Sequence, residues 1–286
     1  MQLQATECVK CQELTPPPVE FTGSLDYAHE IVWTGSRKVE AVVRQNLPVH
    51  YSAADYDRYT TDAVSTYDDG IIRRLRQEYR LMGGGPRVLL DIGTGTARLL
   101  IKIAAEPELA EVELVGTDYF TEMVEQASRT VVEAGLADRV RIEQCDVHQM
   151  PQPDETADLI VSRSTIHHWA DPPQAFREVF RLLKQGGVAI IHEPRRDPAP
   201  SALAEFNRLR AEQGIEPARM DEKYTAAEVR QFLNEAGLHR NGMVLAPSRG
   251  PGSLGMEVRI SKAGWLRRTL VRVVGKLGVS PLRNPW

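Results

Sequence analysis

The chain has 286 residues, enough for one large domain with additions, and 42% of them are hydrophobic, an ordinary share for a globular protein. Lys and Arg number 35 against 39 Asp and Glu, so the net charge of −4 supplies no overall pull toward nucleic acid. The three cysteines, Cys8, Cys11 and Cys145, are few enough to suit a reducing compartment.

Cys8 and Cys11 form a C-x-x-C, but no second pair follows to complete a tetrahedral site, so no metal is expected. The opening MQLQATECVK lacks the apolar core of a signal peptide. No apolar run approaches ~18 residues. A cytoplasmic location is the expectation. Pro16, Pro17 and Pro18 interrupt any regular element. Ser36–Leu47 then reads as a helix capped by Ser36, with Val39, Val42 and Val43 on one face. Asp68–Met82 reads as a second helix with Ile71, Ile72, Leu75 and Tyr79 inward, stopped by Gly83, Gly84 and Gly85. Residues 1–45 are accordingly expected to form a helical, lid-like extension.

From Arg87 short apolar strands alternate with amphipathic helices. Strands are predicted at Val88–Ile92, Glu113–Thr117, Val140–Gln144, Ala157–Ser162, Val188–Glu193, Gly242–Ala246 and Met256–Ser261. Helices are predicted at Ala97–Ala105, Thr121–Ala134, Pro173–Leu183 and Thr225–Ala236. This pattern implies an α/β fold, a Rossmann-like, mostly parallel, seven-stranded sheet covered on both faces. Only a loop separates the last two strands, which predicts an antiparallel terminal hairpin. The core is expected over 46–261, interrupted at about 195–224. There PSALAEFNRLRAEQ has helix character, with Leu203, Phe206, Leu209 and Arg210 suitably spaced. Such an insertion would sit above the strand C-termini, where open α/β sheets bind ligands.

The first strand of this pattern runs into Asp91-Ile-Gly93-Thr-Gly95, and a helix follows. A strand, a glycine turn and a helix present backbone N–H groups to a ligand. The dinucleotide fingerprint G-x-G-x-x-G would need glycine at position 98, where Arg98 stands. No G-K-[ST] follows either, so a Walker-type phosphate loop is excluded. The acid ahead of the glycines resembles motif I of the class I S-adenosylmethionine-dependent methyltransferases. Where many members have a further glycine after Gly95, this chain has Thr96. ELVGTDYFTEM ends a strand at Asp118, whose carboxylate suits two ribose hydroxyls. IEQCDVHQMP ends another at Asp146-Val147. The resemblance implies that Asp146 accepts from an adenine amino group and that Val147 packs on the ring. ADLIVSRSTIHHW and AFREVFRLLKQGGVAIIHE are similar to the family's next strand, loop, helix and strand, with Gln185 in place of the usual proline. The resemblance covers roughly Tyr51 to Lys262. It places Asp91, Gly93, Thr94, Gly95, Asp118, Tyr119, Asp146, Val147, Ser162 and Arg163 around S-adenosyl-L-methionine. Alone, each acid also suits a helix cap or turn; three at successive strand ends on one sheet edge are hard to explain that way.

Methyl transfer from a sulfonium is an in-line displacement, so the protein must align the acceptor, exclude water and, where needed, remove a proton. His167 and His168, just after the fourth strand, are the candidate general bases, with His167 slightly preferred. The alternative is that they hold the loop by hydrogen bonds. Trp169 suits packing better than a substrate platform. His192, Glu193 and Arg163 are expected to line the acceptor pocket, with Tyr51 and Tyr56 from an N-terminal lid. Ser162-Arg163-Ser164 lacks the [DN]-P-P-[YFW] run of enzymes that methylate amino groups of nucleic-acid bases or glutamine. A lid on either side of the core favours a small-molecule acceptor, with specialised metabolism as the expected setting. Two other functions compete: a non-methylating protein that binds the same ligand, and a nicotinamide-dependent dehydrogenase, against which Arg98 argues. The acceptor, and whether O, N or C is methylated, stays open.

Residues 262–286 carry no acid. As a helix they would align Leu266, Leu270, Val273, Val274 and Leu277 on one face and Arg268, Arg272 and Lys276 on another. That pattern suits packing on the body or on a second subunit, as in a homodimer, and also a peripheral membrane surface.

Overall fold

The computed structural model describes residues 28–34, 37–43, 65–212 and 214–262. Two strands come first, β1 (Ala28–Thr34) and β2 (Arg37–Val43), paired antiparallel from Ala28↔Val43 to Thr34↔Arg37. The predicted helix at Ser36–Leu47 is therefore wrong where the chain is described. Lys38, Glu40 and Val42 alternate with Val39, Ala41 and Val43, and a run rich in β-branched residues with a two-residue period suits a strand. Its Ser36 cap lies outside the described residues, as do Cys8, Cys11, Tyr51, Tyr56 and the tail beyond Lys262.

The second predicted helix is present as α1 (Ser65–Leu81). It buries Ile71, Ile72, Leu75 and Tyr79 as expected. Gly83, Gly84 and Gly85 all adopt positive φ, and Gly84 N–H returns to Tyr79 O at 3.1 Å. A left-handed run of this kind is costly for any other residue and ends the helix.

The body is a seven-stranded sheet, built from β3 (Arg87–Ile92), β4 (Val112–Asp118), β5 (Val140–Gln144), β6 (Ala157–Arg163), β7 (Leu183–Pro194), β8 (Gly242–Leu245) and β9 (Gly255–Ser261). Their order is β5-β4-β3-β6-β7-β9-β8. Pairs from β5 to β7 are parallel, while β9 runs antiparallel to both β7 and β8. The expected terminal hairpin is thus present, with its second strand inserted next to β7. Strand order reverses at β3, between β4 and β6, which opens a crevice at the strand C-termini.

Successive side chains on a strand face opposite sides. Leu89 and Leu90 are both buried, but in separate cores. Leu89, Leu159 and Ile190 meet α1, α2 (Arg98–Ala104) and α3 (Thr121–Glu133) through Leu75, Leu100 and Ala127. Leu90, Ile160 and Ile191 meet α4 (Pro172–Leu182) and α6 (Ala226–Glu235) through Phe176 and Val229. Both helix starts are capped on this second face. Asp171 accepts from Gln174 N–H at 3.0 Å, and Thr225 and Glu228 form a reciprocal capping box.

The predicted helix of the inserted segment is α5 (Pro200–Glu212). Ala202 is its buried residue, while Leu209 is 40% exposed and does not face inward as its spacing predicts. The segment leaves and rejoins the sheet at one point, an isolated bridge between Arg195 and Tyr224. Among the described residues no helix is long and apolar enough to cross a membrane, and no cluster of His, Cys, Asp or Glu could hold a metal ion.

Candidate active site

A cavity of about 660 Å³ opens at the strand C-termini. One end is walled by Gly93, Gly95, Asp118, Tyr119, Asp146 and Val147, and the other by Arg163, His167, His168, His192, Glu193 and the inserted segment. The structure thus brings most of the predicted site residues to one space.

Three predicted residues lie beneath the wall instead. Asp91 is 2% exposed, and its Oδ2 accepts from the Thr94 hydroxyl at 2.9 Å. Burial pushes its carboxyl up to about 7, against the pull of the Thr94 hydroxyl and the Arg163 charge. The Ser162 hydroxyl donates to Ile92 O at 2.6 Å and pairs with Thr165. Asp91, Thr94 and Ser162 therefore shape the loop rather than face the ligand space.

The loop itself is tied to β4. Gly93 and Thr94 N–H both donate to Thr117 O at 2.8 Å, and Gly95 N–H donates to Asp118 Oδ2 at 2.9 Å. Gly93 has φ +70°, and a Cβ there would collide with the Thr165 methyl group. Gly95 has φ +57°, and the third left-handed residue of the turn is Ala97, at φ +66°. The departure from a three-glycine loop therefore falls at Ala97 and not at Thr96. An alanine in that conformation costs about 1–2 kcal/mol.

Asp118 is held by its own neighbourhood. Phe120 N–H donates to Oδ1 at 3.1 Å while Gly95 holds Oδ2. A carboxylate offers about four acceptor positions; Phe120, Gly95 and the Tyr119 backbone draw on some of them, and the remainder is left for ligand hydroxyls. Burial raises its pKa, and backbone N–H donors oppose that rise.

Asp146 has a partner that the sequence reading missed. His148 gives Asp146 Oδ1 both its backbone N–H, at 2.9 Å, and a ring contact from Nδ1, at 2.5 Å. Asp171 N–H donates to His148 Nε2 at 3.0 Å. With Nε2 accepting, the network assigns the proton to Nδ1, and Asp146, which lines the cavity, stays ionised. The His148 hydrogen bond holds its pKa below the usual carboxylate value. The signal available was a histidine two residues after an acid at a strand end.

At the other end the two histidines differ. His167 is 3% exposed, with Nδ1 on Glu193 Oε1 and Nε2 2.6 Å from Lys223 Nζ. Glu193 also accepts Ile166 N–H at 3.0 Å. His168 is exposed on the cavity wall, its ring 3.9 Å from that of His167. The protein around the cavity removes much of its hydration, and the charge of Lys223, with that of His167 whenever its ring is protonated, adds to that effect. Its pKa is well below the ordinary value, so it is neutral at physiological pH. Trp169 is 5% exposed and packs edge to face on Phe176, as its packing role predicts.

His192 lines the cavity and is also tied to the charged layer under α1. Its Nε2 lies 3.0 Å from Glu257 Oε2, which also meets Arg74, while Arg259 pairs with Oε1 of the same carboxylate. Arg163 on β6 lies 3.2 Å from Asp68 of α1, which also holds Lys102 at 2.6 Å. This end of the cavity is therefore backed by an ionic layer under α1. Lys223 and these α1 partners carry no short-range sequence signal.

A glycine turn at the switch point, with acids at the ends of β4 and β5, defines an α/β protein built for an adenosine-bearing ligand. Residues 87–237, just over half of the chain, match the family model described as a methyltransferase domain. The chain belongs to the class I S-adenosyl-L-methionine-dependent methyltransferases, and S-adenosyl-L-methionine is the cofactor of that family. It is 34% identical over 140 residues to an uncharacterised methyltransferase of Bacillus subtilis, spanning 47% of this chain and 52% of that one. It is 30% identical over 152 residues to the 27-O-demethylrifamycin SV methyltransferase of Amycolatopsis mediterranei, spanning 52% and 53%. The chain thus spans about half the length of these curated relatives. A solved structure assigned to the S-adenosyl-L-methionine-dependent methyltransferases, from Methanococcus maripaludis, superposes with a TM-score of 0.54 at 25% identity, covering 74% of this chain and 92% of that one.

Proposed function

We propose that this protein methylates a small-molecule acceptor. The observation that carries this reading is the single cavity that joins the glycine loop, Asp118 and Asp146 to a wall drawn from the inserted segment. Its volume lies within the range of small-molecule sites, roughly 300–1,000 Å³. The 27-O-demethylrifamycin SV methyltransferase, by its name, also acts on a small molecule.

When bound, the cofactor supplies a methyl group activated by a sulfonium. The protein's own residues supply the rest. The loop at Gly93 and Gly95 lets the amino-acid end approach the backbone. The open acceptor positions of Asp118 suit the ribose hydroxyls, and the Asp146 carboxylate suits the adenine amino group beside Val147. At the acceptor end His168 presents a neutral imidazole to the cavity, able to accept a hydrogen bond from the reacting group. His167, enclosed between Glu193 and Lys223, holds that wall. Phe206 and Met220 of the inserted segment give the roof an apolar lining that excludes water.

Calorimetry with S-adenosylhomocysteine and with NAD tests the cofactor half. Binding of the first and not the second is expected, and the reverse would overturn the reading. Protein incubated with methyl-labelled cofactor and a cell extract tests the acceptor half. Label should pass into the low-molecular-weight fraction. Label found in protein or nucleic acid would reject a small-molecule acceptor, and label left wholly on the cofactor would favour a non-methylating binder.

A further inference from the structure

The inserted segment contributes a partly buried cation to the end of the cavity proposed for the acceptor. Lys223 lines the cavity, and its side chain is 12% exposed. Its Nζ lies 2.6 Å from His167 Nε2 and 2.8 Å from Glu222 Oε1. An ammonium has three N–H groups. The third has no partner among the described residues. Behind Lys223, the His167 ring leads to Glu193, which is 1% exposed. A continuous chain of polar groups therefore runs from the cavity surface at Lys223 to the buried end of β7.

We propose that Lys223 binds the acceptor by an acidic hydroxyl, a phenol or enol, holds it as the oxyanion and passes its proton to His167. This rests on the methyl-transfer reading above. As the acceptor O–H bond breaks, its electron pair stays on oxygen. Lys223 gives one proton to His167 Nε2 and takes up the acceptor's proton, so its own charge is unchanged. The imidazolium so formed faces the Glu193 carboxylate, which stabilises it. The acceptor gains one negative charge and His167 one positive charge, and no proton leaves the site. Ordinary values are about 6.5 for imidazole and about 10 for a phenol, a gap that a touching ammonium and carboxylate can close. The far larger gap to an aliphatic alcohol is beyond them.

The probe is 4-nitrophenol, titrated spectroscopically with protein saturated in S-adenosylhomocysteine. About one pH unit below the probe's ionisation in water, where the free probe is mostly the phenol, about half of the bound probe should be phenolate, a roughly tenfold gain for the anion. Lys223→Met, with its fold checked by circular dichroism, should abolish that shift. If this variant does not fold, 4-nitroanisole decides with the native protein, since without a hydroxyl it should bind at least about tenfold more weakly. Calorimetry in two buffers of different ionisation heat should show no proton released by the native protein and one released by His167→Gln. An unshifted probe, an equal shift in Lys223→Met, equal binding of the anisole, or proton release by the native protein would overturn the proposal while leaving methyl transfer standing. Failure of S-adenosylhomocysteine to bind would overturn both.

Discussion

Asp91 is placed where a charge is hard to keep. Its carboxyl is raised from 3.8 to about 7, chiefly by burial. The folded protein then holds more protons than the unfolded chain between those values, so stability from this group is lost as pH rises through that window. Asp91→Asn removes the titration. Its melting temperature relative to the native protein should therefore climb between about pH 4 and about pH 7 and level off above. A constant difference across that range would refute the account. Asp118 makes a complementary test. Asp118→Ala deletes acceptors for two ligand hydroxyls, each worth about 1 kcal/mol net. Calorimetry with S-adenosylhomocysteine should show binding weaker by roughly 10- to 50-fold, while Asn, which keeps one acceptor oxygen, should lose less.

Helix α1 shows what an element needs beyond its apolar stripe. Ile71 and Leu75 dock it, but Asp68, Arg74 and Glu78 are also buried, and each meets a charge on the sheet or on α2. Glu257 sits at the centre of this layer, with Arg74, Arg259 and His192 around it. Replacing one partner of a buried set strands the others, at a cost of about 3–5 kcal/mol. Glu257→Gln should show a loss of that size in urea unfolding, and a loss under about 1 kcal/mol would mean that water reaches the layer. Such pairings explain why the elements were easier to read than their contacts. β3, β4, β6 and β7 each hold a short apolar run, and a parallel sheet needs little more to be visible. Asp91, Asp118 and Asp146 were legible because each ends a strand. Lys223 was not, since it reaches His167 across 56 residues of chain. β2 was misread because Val39, Val42 and Val43 satisfy a helical spacing and a strand pairing alike.

At the scale of the molecule, the sheet carries the residues proposed to hold the cofactor, while α5 and its flanks line the end of the cavity proposed for the acceptor. Hydrogen exchange should reflect that division. Saturation with S-adenosylhomocysteine is expected to slow exchange at the Gly93–Ala97 turn and leave residues 200–212 nearly unchanged. An acceptor or its analogue should then slow 200–212. Equal protection of both regions by the cofactor product alone would show that the two ends close together.

The bridge between Arg195 and Tyr224 has a consequence for inheritance. Arg196 N–H reaches Tyr224 O at 3.1 Å, so the excursion between them begins and ends at one doorway in the sheet. Closure entropy grows slowly with loop length, by about 0.6 kcal/mol per doubling. An exchange of this excursion for a longer or shorter one would therefore tax the scaffold little. Substrate preference can drift, or be grafted, as a cassette, while the methyl-donor half is passed on intact.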